Sequence, residues 1–183
     1  MEENRLVLKL CSVLMDYPDE QWLKSKDIVN AVATVEDAGM KEKLTLFLRY
    51  LQSISFKDLW EEYVKQFDFS DQTTLYLTYN IFGDNRERGQ AFVQLKMEYA
   101  KAGFYLREDE LPDYLPVILE FASMADITFV HKTFFIHKKS IARLHEKLAE
   151  QNSPYAHLIA ACLHAFQNIL SIPLDHVSEG NVG

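Results

Sequence analysis

The chain has 183 residues, 48% of them hydrophobic and 25% charged, with a formal net charge of −8. That length suits one domain able to bury a core without staples, and the composition excludes a globally disordered chain. The acidic balance repels phosphate backbones and anionic membrane surfaces, so nucleic acid is not an expected partner and basic partners are favoured.

Helical periodicity dominates the chain. Val7, Leu10, Cys11 and Leu14 fall on one helix face, and Tyr17-Pro18 should stop that helix. Asp16 is then placed to cap a second helix carrying Trp22, Leu23, Ile28, Val29 and Val32. Gly39 marks a break. Leu44, Phe47, Leu48 and Leu51 repeat the spacing, as do Trp60, Tyr63, Val64 and Phe67. Ser70 or Asp71 should cap a short helix holding Leu75, Tyr76, Tyr79 and Phe82, ended by the turn Gly83-Asp84-Asn85. The next helix carries Ala91, Phe92, Leu95, Tyr99 and Ala102 and stops at Gly103.

A charged connection, 104–111, leads to a helix that Asp113 should cap, with Pro116 in its first turn and Leu115, Ile118, Leu119 and Ala122 buried. Residues 126–150 read as helical, although the β-branched and aromatic start Ile127-Thr-Phe-Val suggests local irregularity. Ser153-Pro154 starts a last helix with Ile159, Cys162, Leu163, Phe166 and Leu170, which Pro173 ends. No alternating run with a hairpin turn occurs. The expectation is all-α: about seven to nine helices in one bundle-like domain, 1–172, followed by a flexible tail, 173–183.

The two cysteines, Cys11 and Cys162, sit on apolar stripes and suggest neither a disulfide framework nor a zinc site. The N-terminus lacks the basic start and apolar run of a signal peptide. Residues 151–174 contain no Asp, Glu, Lys or Arg, but His157, His164, Gln167, Asn168 and two prolines make a core helix the better reading than a membrane span. Cytoplasmic location, without membrane insertion, is expected.

Catalytic signatures are absent: no phosphate-binding glycine loop, no nucleophile elbow, no His-Glu-x-x-His. No histidine has a glutamate three residues before it, as helical di-iron sites need. His157 and His164 are seven residues apart, about 10.5 Å along a straight helix. His131, His137 and His145 lie amid Lys132, Lys138, Lys139 and Arg143, a setting that opposes cation binding. The chain thus reads as a binding protein, not an enzyme. A helical scaffold that self-associates, and a helical metalloprotein, are the competing classes.

Two segments exceed what core building requires. In Gly83-Asp-Asn-Arg-Glu-Arg-Gly89, Arg86 and Arg88 oppose the dipole of the helix they start. Either an internal pair with Asp84 or a partner carboxylate resolves that. In Arg107-Glu-Asp-Glu-Leu-Pro-Asp-Tyr-Leu-Pro116, the acidic residues either complement the dipole or form an acidic rim beside Leu111, Tyr114 and Leu115, suited to a basic and apolar peptide.

Leu75-Tyr-Leu, Gly83-Asp84, Arg88-Gly89, Tyr99, Gly103, Glu110-Leu-Pro-Asp-Tyr-Leu-Pro116, Leu119-Glu-Phe121 and Ser153-Pro-Tyr-Ala156 resemble, in order and spacing, the nitrate reductase delta subunit family. The likeness runs from about Val7 to Leu170. It implies an all-helical chaperone dedicated to a molybdenum-containing respiratory nitrate reductase. Such a chaperone binds the apo catalytic (alpha) subunit, partly through its N-terminal segment. It assists molybdenum cofactor insertion, delays membrane docking and holds no cofactor stably itself. Monomer or weak dimer is the expected state. The client-binding residues expected on this basis are Tyr76, Asp84, Arg86, Arg88, Tyr114, Leu115 and Glu120, with Leu111 and Asp113 shaping the helix entry.

Overall fold

Apolar stripes at helical spacing set the architecture. The structure is a computed structural model and describes residues 1–83, 85–107 and 110–172, without the side chains of Trp22 and Asn80. Asp84 and the tail 173–183 therefore lie outside the described residues. Helix α1 (Glu2–Leu14) buries Val7, Leu8, Leu10, Cys11 and Leu14. It lies between α8 (Leu115–Met124) and α10 (Tyr155–Leu170), the two most apolar helices. Helix α10 also packs on α4 (Ala38–Ser53) and α9 (Ile127–Glu150). Around this centre stand α2 (Glu20–Lys24), α3 (Lys26–Thr34), α5 (Phe56–Phe67), α6 (Tyr79–Phe82) and α7 (Arg86–Lys101). The described residues thus hold ten helices, two of them of five residues or fewer, and no strand beyond one isolated bridge.

Buried polar groups pin α1 in place. Ser12 Oγ donates to the Pro116 carbonyl at 2.8 Å, and Arg5 donates to the Ala125 carbonyl at 2.7 Å. Asn168 Nδ2 donates to Asn4 Oδ1 at 3.1 Å, fixing α10 against it. Cys11 and Cys162 are free and fully buried, and burial pushes the Cys11 thiol up to about 12. Both are inert core residues.

Several local expectations shift. Asp16 caps nothing; its carboxylate accepts from the Tyr17 N–H, and Asp19 takes the Gln21 N–H at the start of α2. Gly39 lies in the first turn of α4; the break falls just before it, where Asp37 caps the helix by accepting from Met40 N–H. Ser55 caps α5 by accepting from Asp58 N–H. Trp60 is 45% exposed, off the buried face of Leu59, Tyr63 and Phe67. Residues 70–78 are not helical, so only Tyr79–Phe82 forms α6. Conversely, Ile127-Thr-Phe-Val is regular helix: Asp126 accepts from Thr128 N–H, and Ile127 and Val130 are buried. Core packing outweighs the weak helix propensity of β-branched residues there. Gly103, at φ +74°, follows α7 as expected.

Candidate binding groove

The non-helical run before α6 is built around the bridge between Tyr76 and Tyr114. Leu77 N–H donates to the Asp113 carbonyl at 3.0 Å, and Leu115 N–H to the Leu75 carbonyl at 2.9 Å. The two tyrosine rings lie 5.2 Å apart. Tyr99 OH donates to the Pro112 carbonyl at 2.8 Å, tying α7 to the same segment.

Asp113 does not cap α8. The cap position is Tyr114, and Pro116 sits in the first turn as expected. The Asp113 side chain turns inward, fully buried, and accepts from Thr78 N–H at 3.2 Å and from the Thr78 hydroxyl. Arg88 stands 3.6 Å from it, its guanidinium 5.4 Å over the Tyr79 ring and 5.1 Å over Phe92. Burial raises the Asp113 carboxyl above its ordinary range, against the lowering influence of Thr78 and Arg88.

Tyr114 points the other way. Its hydroxyl lies 3.1 Å from Asp16 Oδ1 and 3.0 Å from the Tyr63 hydroxyl, which is itself 2.9 Å from the Met15 carbonyl, so two phenolic protons are divided among three contacts. Tyr17 packs on Tyr63 with centroids 4.8 Å apart and donates to Asp68 at 2.9 Å. Burial, first of all, raises these phenols far above neutrality, so they act as neutral hydrogen-bonding groups.

Beside this tyrosine cluster runs a groove of about 570 Å³. Lys9, Ser12, Val13, Asp16 and Tyr17 form one wall, with Asp19 beyond them. Phe104, Tyr105, Arg107 and Glu110 form the other, and Glu120 of α8 stands between. Lys9 pairs with Glu120, and Arg107 with Glu110 at 2.8 Å. Among the described lining residues, Asp16 and Asp19 remain as the net charge. Tyr105 is 81% exposed, offering apolar area with a polar tip.

The expected site residues therefore divide. Tyr76, Arg88, Asp113 and Tyr114 come together through Thr78 and the bridge, and Glu120 lines the groove. Leu111 is 39% exposed beside them in sequence. Leu115 is fully buried and is no surface residue: it is the first residue of α8 and belongs to the core-facing stripe with Ile118, Leu119 and Ala122. Asp113 shapes the site from within. Arg86 is exposed at the start of α7, and the expected Asp84 contact lies outside the described residues. Sequence reasoning missed Asp16, Tyr17, Phe104 and Tyr105. The signal for the last pair was a cluster of aromatics in a connection between helices, where no stripe needs them.

Among the described residues no group of three or more His, Cys, Asp or Glu is placed to hold a metal. Among the described residues no helix is long and apolar enough to cross a membrane.

Residues 34–161 match the family model described as nitrate reductase delta subunit. The chain belongs to the nitrate reductase delta subunit family. That matched span contains the Tyr76–Tyr114 bridge and Asp113; the α1 wall of the groove precedes it. Delta-subunit relatives include NarJ of Bacillus subtilis (strain 168), 36% identical over 170 residues and 91% of each chain. They also include NarJ of Escherichia coli (strain K12), a nitrate reductase molybdenum cofactor assembly chaperone. That protein is 30% identical over 94% of this chain and 73% of its own length. These relatives carry the names of assembly chaperones, not of catalysts. A crystal structure described as a redox enzyme maturation protein from Archaeoglobus fulgidus shares the fold. Its TM-score is 0.63 at 24% identity, covering 92% of this chain and 94% of that one.

Proposed function

We propose that this delta-subunit family member is a cytoplasmic chaperone for the apo catalytic (alpha) subunit of a nitrate reductase. It holds that subunit's N-terminal segment during molybdenum cofactor insertion and releases it before membrane docking. The groove's make-up supports the reading. Asp16 and Asp19 supply uncompensated negative charge, while Tyr17, Phe104 and Tyr105 supply apolar area at its edges. A leader-like segment that is both basic and apolar complements this pairing, and helix-in-groove recognition is a common use of such clefts. The chaperone works as a monomer or weak dimer and carries no cofactor of its own. Its part is steric: an occupied groove keeps the segment from its later partners.

The test is calorimetric titration with the N-terminal peptide of the partner catalytic subunit. Saturable binding is expected, weakening with added salt. The double variant Asp16→Ala/Asp19→Ala should bind about tenfold more weakly, about 1.4 kcal/mol. Tyr105→Ala should also bind less well while melting like the parent. Absence of both heat and chemical-shift change at high micromolar peptide overturns the proposal.

A further inference from the structure

A second cleft, of about 490 Å³, opens between α6, α7 and α9, well within the size range of binding pockets. Ile81, Phe82, Leu95 and Ile136 give it apolar walls, and the Glu98–Lys132 pair, at 2.7 Å, spans its rim. His137 lines it, has no exposed surface, and has no hydrogen-bond partner on either ring nitrogen among the described residues. Burial lowers this histidine to about 4, so the ring is neutral, with one N–H to give and one nitrogen to accept. A neutral, fully buried ring at the floor leaves the charge of the cleft to its rim.

The rim continues along α9 as a ridge. Thr128, Lys132, Phe135, Ile136, Lys139 and Arg143 recur at helical spacing, all exposed, with Phe135 at 83%. Lys139 and Arg143 make no ion pair among the described residues. On a chain of net charge −8 this is a local basic and apolar strip, opposite in sign to the first groove. It is unsuited to a second copy of itself, because two-fold pairing would set each row of cations against its own image.

We propose that this cleft and ridge form a second docking surface, for an acidic amphipathic helix of a partner protein that seats one apolar side chain in the cleft against Ile81, Leu95 and Ile136. The partner's apolar face covers Phe135 and Ile136, and its flanking carboxylates meet Lys139 and Arg143. The surface is separate from the groove between α1 and the 104–110 segment, so both can be occupied at once.

The probe is a 15-residue stapled helical peptide with one phenylalanine and leucines on one face, and glutamates on its flanks. Two controls replace every glutamate with lysine, or the phenylalanine with serine. The glutamate peptide should bind at least about tenfold more tightly than the lysine peptide, and several-fold more tightly than the serine peptide. Ile136→Glu, at an exposed site, should lower its affinity at least about tenfold with an unchanged melting curve. Lys139→Glu combined with Arg143→Glu should reverse the preference toward the lysine peptide. Absence of binding up to millimolar peptide, equal binding of both charge forms, or an unreversed preference overturns the proposal. So does self-association of the parent chain that Phe135→Ala abolishes in sedimentation, since the occupant is then a second copy.

Discussion

Phe121→Ala should lower stability by about 3–5 kcal/mol and weaken capture of the client peptide at the same time. Phe121 is 1% exposed, on the face of α8 that meets α7 and the following connection. Its ring lies 4.6 Å from Tyr99, 5.5 Å from Phe104 and 6.5 Å from Phe129, centroid to centroid. Truncation therefore opens a cavity where three elements meet. Phe104 is a wall of the first groove, so the loss reaches the site although Phe121 touches no ligand. Urea denaturation measures the first effect and peptide titration the second. Phe121→Leu should recover most of the stability, because it refills most of the volume. Full binding by a destabilised but still folded Phe121→Ala variant would separate Phe104 from recognition.

Asp113→Ala should cost about 3 kcal/mol, since it strips a buried hydrogen-bond acceptor from Thr78 and the counter-charge from a largely buried Arg88. The pH dependence carries the sharper signature. Burial raises the folded-state pKa of Asp113, the reverse of the usual salt-bridged aspartate. The protonated carboxyl is thus favoured by folding. Its contribution is fully present below the unfolded value, about 3.9, and is lost as pH rises through the folded one. In Asp113→Asn that titration is gone. The stability of the parent minus that of Asp113→Asn should therefore grow as pH falls from neutrality toward 4. A difference that shrinks on acidification would mean that Arg88 and Thr78 hold the carboxylate more strongly than burial opposes it.

Long apolar stripes made α1, α4 and α10 readable from sequence, because burial on one face imposes a period that local chemistry cannot disguise. Residues 70–78 were misread as helix for a related reason. Leu75, Tyr76 and Tyr79 have helical spacing, yet the segment is organised by Tyr114, 38 positions away, through backbone hydrogen bonds that no local pattern records. Asp113 misled in the same way. A carboxylate just before an apolar helix looks like a cap, and only the folded chain shows Thr78 and Arg88 beneath it. The family motif was legible as a string and its site was not, since Leu115 serves the core while Asp16 and Tyr17, about a hundred residues earlier, complete the surface. Family resemblance and relatives agree on the kind of protein; the groove emerges only from the packing of α1 against α8.

The bridge at Tyr76 and Tyr114 has one more consequence. It is the point where the chain departs for α6 and α7 and the point where it returns, so the whole excursion is closed at its neck. Within it, α7 buries only Leu95 and Tyr99, whereas α1, α8 and α10 are buried along much of their length. A segment so lightly anchored, and so tightly stapled at its base, can open without unravelling the centre. Amide hydrogen exchange should show α7 exchanging well before α1 and α10, as one cooperative unit. The chaperone then has a stable frame and a hinged flap, and the second cleft lies along the seam between them.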